Sequence, residues 1–400
     1  MNKLRKLYCR TFQGVFKLAI PVLPYTNPLI LKSCDDVPEL LKKKNIDSVL
    51  IVTDEFIHSS GLCNSLKSAL ENAQIKYFVY DKTVPNPTVS NMEEAREIYV
   101  KNNCKCLIGF GGGSSIDAAK AVGAKIARPK TPISKMEGIL KIMLPTPFTI
   151  AIPTTAGTGS EVTVTTVITD DKANHKFTVS DFPLIPNACV HDGSLLKTLP
   201  KSLTATTGMD ALTHAIESYI GNSTVKSTRK DALDAAMLIA QNLKKAYDNG
   251  DDIEARNNML LASFKAGRAF SKSYVGYCHA VAHSLGGKYH IPHGLANAVI
   301  IPYTLESYGE AVYKKAKDIA VAMGFADKNT PCDKATKILI EKIRLMNEEM
   351  GIPNKLSGIK KSDIDELSAY ADKEANPLYP VPKLMDKEEL KQIYYAVMEE

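Results

Sequence analysis

Five of the eight histidines in this 400-residue sequence, His214, His279, His283, His290 and His293, fall between positions 210 and 293. Asp210 and His214 stand four apart in the helical run Gly208-Met-Asp-Ala-Leu-Thr-His214, so their side chains leave one face of the helix. His279-Ala-Val-Ala-His283 repeats that spacing, and Pro292-His293-Gly294 follows ten residues later in what reads as a turn. A carboxylate and three imidazoles drawn from two helices and a loop make a nitrogen–oxygen metal site with room for a substrate oxygen. Such a donor set suits Fe(II), Zn(II), Ni(II) or Co(II), not Mg(II) alone.

Two further stretches point to an anionic, polar ligand. Gly111-Gly112-Gly113-Ser114 lies between a strand-like run and a helix, where glycines let the backbone approach a diphosphate and the helix N-terminus favours its charge. Asp117 falls in the first turn of that helix. Pro153-Thr154-Thr155-Ala-Gly157-Thr158-Gly159-Ser160-Glu161 follows another strand and offers hydroxyls and amides. Asp54 ends the first strong strand, where a carboxylate accepts hydrogen bonds from ribose hydroxyls. It precedes the glycines by about sixty residues, the reverse of the usual dinucleotide order, and G-x-G-x-x-G is absent. Lys176, among polar residues, reads as a surface lysine, with contact to a phosphate or ribose as the alternative.

The elements that must position these residues change character midway. Asp47–Thr53, Ile75–Tyr80, Lys105–Phe110, Phe148–Pro153 and Val162–Thr169 read as strands, with helices between them, which predicts a parallel sheet covered on both faces. From Leu203 onward the periodicity is helical: 207–220, 231–247, 253–270, 333–350 and 387–398. The expectation is a dinucleotide-binding α/β domain over 1–192 and an all-helical, metal-binding domain over 193–400, sharing a cleft where ligands gather.

Composition narrows the function classes. With 44% hydrophobic and 24% charged residues the chain is globular, not disordered, collagen-like or coiled-coil. A net charge of +6 is spread without a basic block, against a nucleic-acid partner. No apolar run approaches the roughly 18 residues of a membrane span. Met1–Arg10 is basic, but Lys17, Pro21 and Pro24 break the apolar stretch behind it, against a signal peptide. Eight scattered cysteines without paired zinc spacing fit a reduced, cytoplasmic protein.

Together the motifs closely resemble the iron-containing (group III) alcohol dehydrogenases from about Asp36 to the C-terminus. The resemblance is carried by Val52-Thr-Asp54, Val84-Pro-Asn-Pro87, Gly111-Gly-Gly-Ser114 with Ile116-Asp117, the 153–161 loop, Gly208-Met-Asp-Ala-Leu-Thr-His-Ala-Ile-Glu217, and Gly276-Tyr-Cys-His-Ala-Val-Ala-His-Ser-Leu-Gly286 with Pro292-His-Gly294. It implies that Asp210, His214, His279 and His293 are the metal ligands and that His283 stands beside nicotinamide and substrate as the catalytic histidine. It also implies cofactor contacts at Asp54, Gly112, Gly113, Ser114, Asp117, Thr154, Thr155, Thr158, Thr163 and Lys176. Asp54 would favour NAD, with NADP as the alternative; the metal would be Fe(II), with Zn(II) or another divalent ion as alternatives. The first 35 residues depart from the family pattern, as does Asn376-Pro377-Leu378 where many members have Asn-Pro-Arg, and His290 matches no ligand.

The activity implied is hydride transfer between NAD(H) and a small primary alcohol or aldehyde by a homodimer or larger homo-oligomer, without nucleic-acid or membrane partners. A glycerol or diol dehydrogenase is the nearest competitor. A dehydroquinate-synthase-like lyase, the rival from another class, needs basic residues to grip a phosphorylated sugar acid. Here Ala211, Leu212, Ala280, Val281, Ala282 and Leu285 surround the ligands instead. A non-catalytic binding protein would not need the metal constellation.

Overall fold

The structure is a computed structural model that describes residues 1–173 and 175–399. Asn2 accepts a hydrogen bond from the Arg5 amide and so starts α1 (Lys3–Ala19), a 17-residue helix that periodicity did not single out. Its Cys9, Gln13 and the following Ile20 are buried, whereas Leu4, Leu7, Val15 and Leu18 face outward and are exposed.

One unit, Pro24–Thr155 with Gly159–Thr198, alternates strands and helices. In order these are β1 (Leu29–Leu31), α2 (Val37–Lys43), β2 (Ser48–Val52), α3 (Glu55–Ser59), α4 (Asn64–Asn72), β3 (Lys76–Tyr80), α5 (Val89–Lys101), β4 (Cys106–Gly111) and α6 (Gly113–Ala127). Then come β5 (Gly138–Ile139), β6 (Phe148–Pro153), β7 (Thr165–Asp170), β8 (His175–Ser180) and β9 (Ala188–Val190). A six-stranded, all-parallel sheet runs β1-β9-β6-β4-β2-β3. The β2 run Ser-Val-Leu-Ile-Val is buried throughout, the signature of a strand covered on both faces. Chain progression reverses between β2 and β4, which places the C-terminal ends of these two strands at a topological switch point, the usual ligand position in such sheets.

Four of the expected strands are β2, β3, β4 and β6. The fifth is not in this sheet: β7 pairs antiparallel with β8, and the two form a separate three-stranded sheet with β5. Strand β8, in which only Phe177 and Val179 alternate with more exposed neighbours, and the three-residue β1 and β9 are too short to stand out in the sequence.

The second unit comprises Met1–Leu23, Ala156–Thr158 and the chain from Leu199 onward. Its helices after α1 are α7 (Lys201–Ile220), α8 (Lys226–Asp248), α9 (Ile253–Ser273), α10 (Tyr277–Tyr289), α11 (His293–Tyr308), α12 (Tyr313–Ala322), α13 (Cys332–Glu349), α14 (Ile364–Ala375) and α15 (Lys387–Val397). The structure's division differs from the expected one in three places. The division falls at Thr198/Leu199, the first 23 residues join the helical unit, and so does Ala156–Thr158 in mid-chain. Contacts rather than sequence order define a unit: α1, for instance, bonds the α14–α15 connection, as described below. Helix α7 lies at the unit's centre, against α8, α9 and α11, with every residue from Gly208 to Ile220 buried.

Candidate functional site

Asp210 and His214 project from α7, His279 from the first turn of α10, and His293 is the first residue of α11 rather than part of a turn. One ligand atom from each of the four lies within 4.8 Å of the others. Asp210 Oδ1 is 3.9 Å from His279 Nε2 and 3.5 Å from His293 Nε2, and its Oδ2 is 3.9 Å from His214 Nδ1.

These donors fit a divalent cation. His214 Nδ1 and His279 Nε2 are buried without a hydrogen-bond partner among the described residues, an expensive state unless something binds there. Burial pushes both imidazoles toward the neutral form, well below the ordinary histidine range for His279, where His214, His293 and His283 add to the effect. Neutral imidazole is the metal-ligating form.

A second layer holds these side chains. His279 Nδ1 bonds Glu217 Oε2 at 2.6 Å, which directs Nε2 toward Asp210. Glu217 also accepts from the amides of Gly276 and Cys278, both at 2.8 Å, and so caps α10. Its burial pushes the carboxyl up to about 7 despite those amide bonds. Gly276 is required for this approach, because a Cβ there would lie 2.6 Å from Glu217 Oε1. Asn297 Nδ2 donates to Asp210 Oδ1 at 2.7 Å and lies 3.1 Å from His293 Nε2. The His214 ring stacks on Phe270, centroids 4.2 Å apart. Glu217 was legible: it is seven residues after Asp210 and three after His214, on the same helical face. Asn297, four residues after His293, was equally within reach.

His283 lies one turn after His279 and stacks on His293, with centroids 5.2 Å apart and planes at 18°. Its Nδ1 bonds Glu374 Oε1 at 2.6 Å. His290 is the exposed, left-handed residue that ends α10, away from this cluster.

In the α/β unit the glycine turn joins β4 to α6, with Gly112 as the N-cap and no side chain capping the helix. The first amides of α6 are thus available to an anion. Gly111 shapes the turn: its φ is +144°, and a Cβ would lie 2.6 Å from Ser115 Oγ. Asp54 follows β2, the strand beside β4, which brings it next to the turn despite the sixty intervening residues. Its Oδ1 caps α3 through the Ile57 amide at 2.9 Å, and Ser115 Oγ lies 3.5 Å from its Oδ2. Thr154 is buried, its amide bonded to the Gly111 carbonyl at 2.9 Å, and Thr155 approaches Gly112.

Three residues expected at the cofactor have hydrogen-bond partners within the α/β unit. Asp117 is buried, and its carboxylate accepts from the Val167 amide at 2.9 Å, tying α6 to β7. Thr163 accepts from the buried Lys120 ammonium at 2.9 Å. Lys176, on β8, donates to Asn86 Oδ1 at 2.6 Å. Gly113 and Ser114 begin α6 as expected, and Thr158 is grouped with the helical unit.

A parallel α/β unit with an amide-lined turn, together with a helical unit bearing an Asp-His₃ cluster, defines the class as a metal-dependent dehydrogenase. Residues 31–193 match the family model "Iron-containing alcohol dehydrogenase", and residues 204–398 match "Fe-containing alcohol dehydrogenase family, C-terminal". Alcohol dehydrogenase 4 of Schizosaccharomyces pombe is 36% identical over 399 residues, covering 96% of this chain and 92% of that protein. The NAD-dependent methanol dehydrogenase of Bacillus methanolicus is 35% identical over 338 residues, 84% of this chain and 88% of the relative. Among solved structures, a 1,3-propanediol oxidoreductase superposes with a TM-score of 0.89 at 32% identity, covering 94% of this chain and 99% of that one. The chain belongs to the iron-containing alcohol dehydrogenase family and is an oxidoreductase of the alcohol dehydrogenase class.

Proposed function

We propose that Asp210, His214, His279 and His293 hold one divalent metal and that His283 serves the substrate beside it, for hydride transfer between NAD(H) and a small primary alcohol or aldehyde. The observation that carries this reading is the convergence of four donors from three helices with two buried imidazole nitrogens lacking any other partner. Iron or a similar divalent ion and NAD are the cofactors. A bound metal supplies Lewis acidity, lowering the pKa of an alcohol oxygen or polarising a carbonyl, and NAD supplies the hydride acceptor.

The chain's own residues do the rest. Glu217 fixes the His279 ring, Asn297 fixes Asp210, and buried Ala211, Leu212, Ala280 and Val281 keep the surroundings apolar. His283 exchanges the alcohol proton at Nε2, its Nδ1 being committed to Glu374. The α6 amides with Gly112, Gly113 and Ser114 receive the diphosphate, and Asp54 receives the adenosine ribose. A short diol is the competing substrate, favoured by the likeness to the propanediol oxidoreductase.

Eight unpaired cysteines support a cytoplasmic location. Among the described residues no helix is long and apolar enough to cross a membrane. The edge strand β1, with Leu29 and Ile30 exposed, supports assembly into a homo-oligomer. The test of the reading is His283→Ala: metal content and fold persist while kcat/KM falls about 10²–10⁴-fold. If metal is lost instead, His283 is a ligand. If only stability falls, it merely fills the helix interface.

A further inference from the structure

Helix α1 precedes the family match, which begins at residue 31. Its inner face is nonetheless bonded along one short segment of the helical unit. Arg5 grips Asp372 through two parallel bonds of 2.8 Å. Arg10 donates to the carbonyls of Val381, at 2.6 Å, and Pro382, at 2.9 Å. Between these two clamps the buried Gln13 amide donates to the carbonyls of Tyr379, at 2.8 Å, and Pro377, at 3.2 Å. Gln13 is itself fixed: Arg10 bonds its Oε1 at 2.9 Å, and Ser223 Oγ bonds its backbone carbonyl at 2.7 Å. Phe16 adds an aromatic link, 5.0 Å from the ring of Tyr274, which is 6.2 Å from that of Tyr379. Tyr274 is held at φ +59°, a backbone region that a bulky residue occupies only when its surroundings impose it.

The segment pinned in this way carries two side chains that meet at His283. Glu374 Oε1 accepts from His283 Nδ1 at 2.6 Å, and the Tyr379 hydroxyl donates to the same oxygen at 2.7 Å. A carboxylate at Nδ1 decides both which imidazole nitrogen carries the proton and which way the ring faces. Glu374 and His283 are both partly open to solvent, with side-chain exposures of 35% and 37%. Their pairing therefore depends on the backbone beneath Glu374 staying in place, since water competes for both groups. Arg5 and Arg10 reach this segment from α1, and Lys373 is the segment's own cation.

We propose that α1 is a positioning element of the dehydrogenase reaction: by clamping Asp372 to Pro382 it sets Glu374 and Tyr379, and through them the tautomer and orientation of His283. This rests on the role given to His283 above. Glu374, Tyr379, Gln13 and Arg10 are positioning residues, and Gln13 acts from a helix that touches none of the four metal ligands in any of these bonds.

The experiment is a double-mutant cycle in the full-length, metal-loaded enzyme. Glu374→Gln lowers kcat about 10–100-fold, the range for partners that orient a site's imidazole. Gln13→Ala lowers kcat by about tenfold, with KM for NAD and metal content unchanged. The pair together does no more than Glu374→Gln alone, because both act through one bond. Arg10→Lys keeps more of kcat than Arg10→Ala. In zinc-loaded enzyme labelled with ¹⁵N-histidine, the His283 Nδ1–H resonance is present in the unmodified protein and lost in Gln13→Ala. Additive losses, an unchanged resonance, or a kcat loss that only tracks falling melting temperature overturn the proposal. If His283→Ala slows turnover while Glu374→Gln and Gln13→Ala do not, this inference alone falls; if His283→Ala is silent, both readings fall.

Discussion

The metal centre and the glycine turn solve the binding of a charged group in opposite ways. In the helical unit the site is made of side chains, each steadied by another group: His279 by Glu217, Asp210 and His293 by Asn297, and His214 by the Phe270 ring. In the α/β unit it is made of main-chain amides at the start of α6, while nearby polar side chains turn inward, Asp117 to β7 and Thr163 to Lys120. A site built of side chains fails when one atom is removed. A site built of backbone fails only when the path of the chain changes or the space beside it is filled.

The sharpest break is at the ligands. His279→Ala, or exhaustive chelation of the unmodified protein, brings metal content and turnover to background, and Fe(II) restores only the chelated enzyme. Elemental analysis beside an alcohol–NAD assay checks this; full activity without metal overturns the ligand assignment. One layer out, Glu217→Gln leaves the ligand atoms present but weakens metal affinity about 10–100-fold. An unchanged affinity in a competition titration would mean that the second layer contributes packing alone.

The glycine turn predicts a split between neighbours. Gly111→Ala costs about 1–3 kcal/mol of stability, since its backbone is in a region that side chains avoid and its Cβ would lie 2.6 Å from Ser115 Oγ. Gly112→Ala meets nothing closer than Thr155 at 3.5 Å, so it keeps the fold while occupying space at the diphosphate, and it weakens NAD binding instead. Thermal melts and NAD titrations of both variants separate the two effects; equal losses of stability would refute the split. Asp54→Gly has a smaller consequence, narrowing or reversing the preference for NAD over NADP, because a 2′-phosphate no longer meets a carboxylate. Equal use of both cofactors by the unmodified enzyme would place Asp54 away from the ribose.

The mildest expectation concerns pH and tests the α/β unit alone. Burial pushes His191, just after β9, down to about 4. Between about 6.5, its unfolded value, and 4 the unfolded chain takes up a proton that the folded one refuses. Stability from this residue is therefore complete above pH 6.5 and declines as pH falls toward 4. His191→Asn flattens that limb of a denaturation profile, and an unaltered slope would mean that the imidazole is solvated.

How much of this was legible depends on whether the controlling interaction is local. Asp210 and His214 sit one helical turn apart, and His279 opens a motif with the same spacing, so residue type and a 3.6-residue period were enough to mark them and the alternation of β2, β3, β4 and β6 with helices. The partner of Asp117 was not legible, because its place in the first turn of α6 does not say that β7 lies against it. The place of α1 in the helical unit was not legible for the same reason: the helix is remote in sequence from Asp372 and Val381 yet is bonded to both.

By itself the sequence marked the α/β and helical halves, the Asp210–His214 and His279–His283 pairs and the glycine-led helix start, because each shows as a pattern within single elements. The tertiary structure decided that β2 lies beside β4, so that Asp54 adjoins a turn sixty residues later. It also decided that Glu217 faces His279 and that the N-terminal helix holds the segment bearing Glu374. Those facts depend on which elements pack together. Packing is selected by burial and hydrogen-bond satisfaction summed over the whole fold, and no local pattern encodes it.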